Sequence, residues 1–447
     1  MAGHDISAGG LITTLLEMCF ANTKGGMHIN LHDLCQDGDI VKALFAENPG
    51  VVIQVSDQHK QEFRDFMEEN GIGYAKIGYP VEGSRTIEVV YPSHTSNTSI
   101  SSTTSPTSST SSIIFDIDHL RDVWYKTSYL LDRKQSFNGK AAERFENYKQ
   151  QPLEMKFPKG FTGTLAQYGL TPRRALNTQN TLNNLNNQTT QNHQNTPTAP
   201  KAAIIREKGT NGEREMAYSM YLAGFDVKDV MMTDLISGRE TLEDVNFIVF
   251  CGGFSNSDVL GSAKGWAGAF LFNPKAKQAL DNFYARKDTL SLGICNGCQL
   301  MVELGLTGAK GAKMLHNDSH KFESEFITLQ IPQNNSVMFG SLSGTKLGLW
   351  VAHGEGKFSL PEAESAYNVI AKYNYHGYPA NPNGSNYDVA GICSADGRHL
   401  CMMPHLERAI FPWQNAWYPA NRRNDEVTPW IEAFVNARKW VEAVQSV

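Results

Sequence analysis

Two cysteines three residues apart are the feature of this sequence that most directly suggests chemistry. Cys295 and Cys298 lie in the stretch SLGICNGCQLMVELGL, residues 291–306. Such a pair could be half of a metal site, a redox pair, or one nucleophile beside an unreactive neighbour. A zinc site needs a second pair of ligands, and no C-x-x-C or H-x-H partner of suitable spacing occurs in the sequence. We therefore predict no metal site, while a thioredoxin-like pair at a helix start stays open.

The glycines around Cys295 favour the nucleophile. Residues 293–297, GICNG, have the form G-x-C-x-G and stand between an apolar strand and an apolar helix. This is the context of a nucleophile elbow with cysteine in the serine position. The helix dipole would favour a thiolate there, and the N–H of Asn296 could donate to an oxyanion. A buried structural cysteine beside a packing glycine is the alternative.

A cysteine nucleophile needs a base and a group that orients the base. The stretch LCMMPHLERAIFP, residues 400–412, supplies His405 and Glu407. In extended chain, residues two apart point the same way, so the carboxylate could orient the imidazole. A second glycine turn, FCGGFSNSDVLGS, could add the N–H of Gly253 to the oxyanion hole. The alternatives are a surface His-x-Glu pair and an ordinary turn between strand and helix.

The elements that must position these residues form an α/β domain over residues 201–447. Strand and helix patterns alternate there: KAAIIREKG is followed by NGEREMAYSMYLAGF, and NFIVF by a glycine turn. This alternation predicts an open, mostly parallel sheet with helices on both faces. Active sites in such sheets lie at the carboxyl ends of the strands, which is where the glycine turns fall.

The earlier part of the chain is predicted to contain a smaller α+β domain over residues 1–92. We expect a helix in GGLITTLLEMCFA, a buried strand in GVVIQV, an amphipathic helix in DQHKQEFRDFMEENG, and strands in YAKIGYPV and TIEVVYP. Residues 114–176 begin with a helical pattern, DIDHLRDVWYKTSYLLDRKQ, and end as an extended connector. We interpret them as a helical and extended linker.

Two low-complexity tracts separate these blocks. Residues 93–113 are rich in serine and threonine, and residues 177–200 are rich in asparagine, glutamine and threonine. Neither tract has enough apolar surface to offset the entropy of ordering, so both are predicted to be disordered insertions.

The net charge, the apolar runs and the cysteines limit the kind of protein that this chain can be. The chain has 447 residues, a formal net charge of −6 and seven cysteines. The charge does not favour nucleic acid or a membrane surface as a partner. The sequence has no apolar run of 18 residues and no basic leader, so we expect neither a membrane span nor a signal peptide. An odd number of scattered cysteines is typical of free thiols in a reducing cytosol, which predicts a cytoplasmic protein.

Several long motifs, in order, carry a family resemblance. They are REKGTNGEREMA, CGGFSNSDVLGSAKGWA, GICNGCQLM, HNDSHKFESEF, VAHGEGKF and MPHLER. Together they resemble the glutaminase domain of the phosphoribosylformylglycinamidine synthases, which are class I (triad) glutamine amidotransferases of purine biosynthesis. The resemblance implies that Cys295 attacks glutamine to form a thioester, that His405 is base and acid, and that Glu407 orients His405. It implies that Gln299 contacts glutamine, and that Cys298 has no chemical role.

The first block resembles the last part of the family's synthetase region, whose fold is aminoimidazole-ribotide-synthetase-like. HDISAGGLITTLLEMCFA at its start is similar to a family motif, but Ala8 stands where aspartate is usual, and Leu406 stands where proline is usual. Asp5 could serve a metal or phosphate site, or could be a helix N-cap. The resemblance implies that this chain corresponds to the C-terminal third of a larger enzyme.

In that larger enzyme, ammonia from glutamine would be used with ATP and Mg²⁺ to convert formylglycinamide ribonucleotide to formylglycinamidine ribonucleotide. The glutaminase step itself would need no cofactor. The implied partner is the remaining synthetase region, in the same chain or as a separate subunit. Three alternatives stay open: the glutaminase subunit of a split enzyme, a non-catalytic regulatory or docking fragment, and a cysteine hydrolase acting on another amide.

Overall fold

The computed structural model describes residues 2–93, 109–170 and 199–446. The chain divides into two compact units, Met1–Lys134 and Gln135–Val447. Each unit has its own cluster of buried apolar side chains, so each is described by itself.

Unit 1 has an α+β arrangement, as the sequence predicts. Its strands are β1 Ala2–Ile6, β2 Gly26–Asn30, β3 Gly50–Gln54, β4 Gly78–Val81, β5 Thr86–Ser93 and β6 Ser109–Asp116. Its helices are α1 Gly10–Phe20, α2 Ile40–Phe45, α3 Lys60–Glu69 and α4 Ile117–Gln135. Four strands form a sheet in the order β4-β2-β5-β6, and β1 pairs with β3 in a separate two-stranded sheet.

Three predictions for unit 1 are wrong in detail. Residues 109–113 are not disordered but form the first part of β6. The pairing of β6 with β5 includes the apolar residues 113–115 and extends along the serine-rich residues before them. The strand β3 is exposed rather than buried, since β1 is its one strand partner among the residues described. Asp5 lies in β1, and the N-cap of α1 is Gly9. Residues 94–108 lie outside the described residues.

Unit 2 is built on a nine-stranded sheet in the order β13-β12-β15-β16-β17-β10-β9-β7-β8. These strands are β7 Lys201–Arg206, β8 Asp226–Met231, β9 Phe247–Phe250, β10 Leu290–Ile294, β12 Glu323–Gln330, β13 Lys346–His353, β15 Asn368–Tyr373, β16 Val389–Cys393 and β17 His399–Met402. A small sheet pairs β11 Lys313–Leu315 with β14 Lys357–Ser359.

The helices of unit 2 are α5 Lys140–Asn147, α6 Glu213–Ala223, α7 Met232–Ser237, α8 Lys264–Phe272, α9 Pro274–Ala285, α10 Asn296–Glu303 and α11 Ile431–Gln445. They form two groups: α6 contacts α11, whereas α9 contacts α7 and α8, and α8 contacts α10. Every residue of β9 and β10 is buried, so both faces of the sheet are covered there.

The α/β class is confirmed, but the sheet is mixed rather than mostly parallel. Pairings among β8, β7, β9, β10 and β17 are parallel, and the pairings from β17 through β16, β15 and β12 to β13 are antiparallel. The parallel half brings the carboxyl ends of β9, β10 and β17 to the same edge of the sheet. Of the predicted site residues, Gly253 follows β9, Cys295 follows β10, and His405 follows β17.

The second part of the predicted linker belongs to the packed body of unit 2. The core cluster includes Phe161, Leu165, Tyr168 and Leu170. The backbone of Lys156 also pairs with that of Lys346, with N···O distances of 2.8 and 2.9 Å. The apolar side chains of this segment follow neither a helical nor a strand period, and for that reason the sequence did not predict their burial. Residues 171–198 lie outside the described part of the chain.

Within the ranges that the structure describes, no helix combines the length and apolar character needed to cross a membrane. All seven cysteines are free and buried. The cytoplasmic location expected from the cysteines stays a prediction.

Substituting Leu165→Ala should lower the free energy of unfolding by about 2–4 kcal/mol, because a buried leucine is lost from the core of unit 2. Urea unfolding followed by tryptophan fluorescence would measure this, since six of the seven tryptophans lie in unit 2. The matched control is Leu271→Ala, because Leu271 is 49% exposed. Equal midpoints for the two variants would show that residues 161–170 do not contribute to the core.

Candidate active site

Cys295 lies on a sharp turn between β10 and α10. Its backbone has φ 52° and ψ −106°, a left-handed φ that side-chain-bearing residues rarely adopt. Two glycines make the turn possible. A Cβ on Gly293 would lie 2.5 Å from the carbonyl oxygen of Gly297, and a Cβ on Gly297 would overlap the backbone of Phe250. The strand, turn and helix that the sequence predicts around Cys295 are therefore present.

The Cys295 thiol stands at the edge of the buried core. It is 5% exposed, its Sγ lies 3.5 Å from the carbonyl oxygen of Ala352, and its N–H donates to Met402 at 3.0 Å. Cys298, by contrast, is fully buried, and burial raises the pKa of its thiol well above the ordinary value. Both thiols are free. The two cysteines thus occupy different environments, with Cys295 alone reaching the cavity described below.

His405 and Glu407 form a buried pair. The Nδ1 atom of His405 lies 2.7 Å from Oε1 of Glu407, and each side chain is 2% exposed. The prediction that extended chain brings them together is wrong, since Leu406–Arg408 forms a 3₁₀ turn. The N–H of His405 donates to the carbonyl of Trp350 at 2.9 Å. Leu406 is fully buried, so its apolar side chain helps to fix the turn.

The charges around His405 outweigh the effect of burial on its pKa. Burial by itself lowers the pKa of His405, but the Glu407 carboxylate and then Cys295 outweigh that effect and raise the pKa to about 10. The nearby His353 shows the opposite result: burial, together with repulsion from His405, lowers the pKa of His353 to about 3. The site therefore favours a protonated His405 beside a neutral His353.

Gly252 separates His405 from Cys295. A Cβ added to Gly252 would lie 2.8 Å from Cε1 of His405 and 3.4 Å from Cβ of Cys295. Both side chains therefore rest against this one residue. The Nε2 atom of His405 makes no hydrogen bond to any residue that the structure describes, so it is available to a reacting group.

The other predicted site residues lie around the turn. Gly253 has φ 121° and lines the cavity, and Asn296 is the first residue of α10, where backbone N–H groups lack helical partners. The Asn296 side chain accepts from the N–H of Ser255 and donates to Oε1 of Gln299 at 3.0 Å. Gln299 donates in turn to the carbonyl of Glu355 at 2.8 Å.

A cavity of about 250 Å³ opens beside Cys295. Its lining comes from four segments: Gly253, Phe254, Asp258 and Ser262; Cys295 and Gln299; His316, His320, Lys321 and Phe322; and Ala352, His353, Gly354 and Glu355. The last two segments belong to HNDSHKFESEF and VAHGEGKF. These motifs carried the family resemblance but were not expected to line the site, because sequence spacing alone gives no sign that they meet Cys295.

The part of the chain that the structure describes offers no cluster of metal ligands. In residues 2–93, 109–170 and 199–446, no three His, Cys, Asp or Glu side chains are grouped so as to hold a metal ion. Asp5, the carboxylate considered for such a site, has a side chain 73% exposed beside His4. Asp5 therefore does not belong to a cluster of described side chains that could hold a Mg²⁺ ion.

Comparison with known proteins gives matches along most of the chain. Residues 199–441 match the family described as the CobB/CobQ-like glutamine amidotransferase domain. Residues 1–90 match the C-terminal domain of AIR synthase related proteins. Among solved structures, that of PurLQS from Thermotoga maritima covers 55% of this chain and 99% of that chain, at 22% identity and a TM-score of 0.43.

Curated relatives match over nearly the whole chain. Phosphoribosylformylglycinamidine synthase from Homo sapiens is 34% identical over 98% of this chain and 32% of its own length. The probable chloroplastic or mitochondrial phosphoribosylformylglycinamidine synthase of Arabidopsis thaliana is 37% identical over 99% of this chain and 30% of its own length. This chain therefore spans about a third of the length of these relatives.

Replacing Gly252→Ala should slow alkylation of Cys295 by iodoacetamide about 10-fold to 100-fold, because the new methyl group must displace the imidazole from the thiol. Mass spectrometry of the labelled peptide would measure the rate. Gly268→Ala, on α8, is the control, since the nearest atom to its Cβ would be 3.8 Å away. Equal rates for the two variants would mean that His405 does not act on Cys295.

The raised pKa of His405 gives a prediction about pH. The folded value of about 10 lies above the ordinary 6.5, so between these values native His405 keeps its proton. In Glu407→Gln the carboxylate is lost, burial dominates, and the proton should leave. The Cys295 thiolate then loses its positively charged neighbour. Alkylation of Cys295 at pH 7–9 should therefore slow about 10-fold or more, which corresponds to ~1.4 kcal/mol. Glu442→Gln, on α11, is the control, and a wild-type rate in Glu407→Gln would contradict the assignment.

Proposed function

Because this chain belongs to the CobB/CobQ-like glutamine amidotransferase family, we propose that it releases ammonia from glutamine with Cys295, His405 and Glu407 as its triad. One observation carries this proposal: a cysteine on a left-handed turn faces a cavity beside a buried histidine–carboxylate pair. A nucleophile, a base and a group that orients the base are the three parts that acyl transfer through cysteine needs.

In the first half of the reaction, the Cys295 thiolate attacks the carbon of the glutamine side-chain amide. The oxyanion that forms accepts hydrogen bonds from the N–H groups of Gly253 and Asn296. His405, protonated at the start, gives its proton to the amide nitrogen, and the carbon–nitrogen bond breaks. Ammonia leaves, and a γ-glutamyl thioester remains on Cys295.

In the second half, His405 is neutral and takes a proton from a water molecule. The hydroxyl adds to the thioester carbon, and the carbon–sulfur bond breaks to give glutamate and the thiolate. His405 ends protonated again. Glu407 stabilises the imidazolium at both stages, which agrees with its being the carboxylate that raises the pKa of His405.

The charges of the cavity suit a zwitterionic amino acid. Asp258 and Glu355 line it together with Lys321, and the volume of about 250 Å³ fits a small substrate. Carboxylates favour an α-ammonium group, and a lysine favours an α-carboxylate. Gln299 supports the wall near the thiol through the carbonyl of Glu355. These features favour free glutamine over an amide within a peptide.

We propose further that the ammonia serves the phosphoribosylformylglycinamidine synthase reaction. The support is the relatives of that name, which match both units of the chain, and the match of residues 1–90 to AIR synthase related proteins. In this reaction formylglycinamide ribonucleotide, ATP, glutamine and water give formylglycinamidine ribonucleotide, ADP, phosphate and glutamate. The partner that uses the ammonia is the remaining synthetase region, where ATP and Mg²⁺ would act.

Cys295→Ala should reduce glutamate release from glutamine by at least about 1000-fold, the order of magnitude seen when a triad enzyme loses its nucleophile. Cys298→Ala should retain most of the activity, because Cys298 is fully buried and does not line the cavity. A coupled glutamate assay on the purified chain would measure both. Loss of activity in Cys298→Ala alone, with Cys295→Ala active, would overturn the assignment of the nucleophile.

A further inference from the structure

One wall of the cavity is a loop that has no regular secondary structure. We call residues 316–322 the cavity loop; it joins β11 to β12 and provides His316, His320, Lys321 and Phe322 to the lining. Asn317 holds one side of it: its N–H donates to Gly354 at 2.9 Å, and its side chain donates to the carbonyls of Lys321 and His353. The loop is also held at Asp318, whose N–H donates to the carbonyl of Asn383 at 3.2 Å and whose carboxylate pairs with Lys357 at 2.6 Å.

A further support of the cavity loop comes from the turn before α5. The N–H of Phe137 donates to the carbonyl of Ser319 at 3.0 Å, and the side chain of Asn138 donates to the carbonyl of Asp318 at 2.9 Å. The ring of Phe137 also lies 5.0 Å from the ring of His320, between centroids. Two successive residues thus hold two successive carbonyls of the cavity loop, and one of them contacts a side chain that lines the cavity.

Arg144, one turn into α5, holds the place where the loop enters β12. Its Nη2 atom lies 2.8 Å from Oε2 of Glu323, whose side chain is 2% exposed. Ser319 donates to the same carboxylate, and the hydroxyl of Tyr378 donates to it at 3.0 Å. The guanidinium also stacks over the Tyr378 ring, 4.7 Å from its centroid. A carboxylate this deeply buried depends on a cationic partner, so its position depends on Arg144.

We propose that residues 137–144, here called the brace, position the cavity loop and thereby set the affinity of the site for glutamine. Arg144 and Asn138 are positioning residues, since they act on the cavity through Glu323 and the loop backbone. This inference rests on the proposed function in one respect, which is that glutamine is the occupant of the cavity. The brace lies in the segment that the sequence indicated to be a linker.

The test uses the full chain with Arg144→Met, which removes the charge and keeps the length of the side chain. We expect the KM for glutamine to rise about 10-fold or more, because a small displacement of a binding wall has effects of this order. The kcat should change less than about 3-fold, and alkylation of Cys295 should keep its wild-type rate. Hydrogen exchange of the amides in residues 316–322 should become faster. Arg144→Lys, which keeps the charge, should restore most of the affinity.

The matched control is Arg422→Met. Arg422 also pairs with a mostly buried carboxylate, that of Asp425, which is 10% exposed and lies 2.9 Å away, and it also stacks on an aromatic ring, that of Phe161 at 4.8 Å. It is not part of the cavity lining. We therefore expect Arg422→Met to leave both the KM and the exchange of residues 316–322 unchanged.

Two outcomes would contradict the proposal that the brace positions the cavity loop. One is a folded Arg144→Met chain with wild-type KM and wild-type exchange in residues 316–322. The other is an equal effect of Arg422→Met on both. If Arg144→Met does not fold, Asn138→Gly decides in its place, because it removes the exposed hydrogen bond to the loop while glycine readily keeps the φ of 53° found at this position. If the wild-type chain hydrolyses no glutamine, the proposed function fails, while the exchange measurement still tests the brace.

Discussion

The site depends on one backbone constraint, the left-handed φ at Cys295. A residue with a side chain in this conformation carries strain of about 1–3 kcal/mol, which the surrounding packing must offset. Gly293 and Gly297 make this packing possible, because the turn lies against Phe250 and Met301 with no room for a Cβ at either glycine. The result directs the thiol away from the sheet and into the cavity.

The proposed site also depends on an electrostatic interaction, which keeps His405 protonated. A histidine as buried as His405 would ordinarily lose its proton, as His353 does a short distance away. The paired carboxylate of Glu407 reverses this, and the contrast between the two histidines shows that the partner, rather than depth, decides the charge. Gly252 then allows the imidazole to approach the thiol closely. The residues of the proposed site are thus distributed over three strand ends that the sheet brings to one edge.

The parts of the fold that local patterns encode were predictable. The elbow around Cys295 follows from glycine spacing between an apolar strand and helix, and His405 with Glu407 follows from residue types near a strand end. The two residues meet through a 3₁₀ turn rather than an extended chain, a detail that short-range spacing does not specify. Burial of Leu165 was missed because its partners are distant in sequence, and pairing of Ser109–Asp116 with β5 was missed because the serine-rich composition of residues 109–112 is not typical of a strand. The walls from His320 and Glu355 were missed for the same reason.

The strand order has a consequence for when the proposed triad forms during folding. Cys295 follows β10, whereas His405 follows β17, its neighbour in the sheet but 110 residues later in the chain. Closing so long a loop is entropically unfavourable and slow compared with local folding. Synthesis from the amino terminus also makes β17 after the other eight strands of this sheet. His405 therefore reaches the thiol only once β17 has joined β10, so the proposed triad forms late in the assembly of the domain.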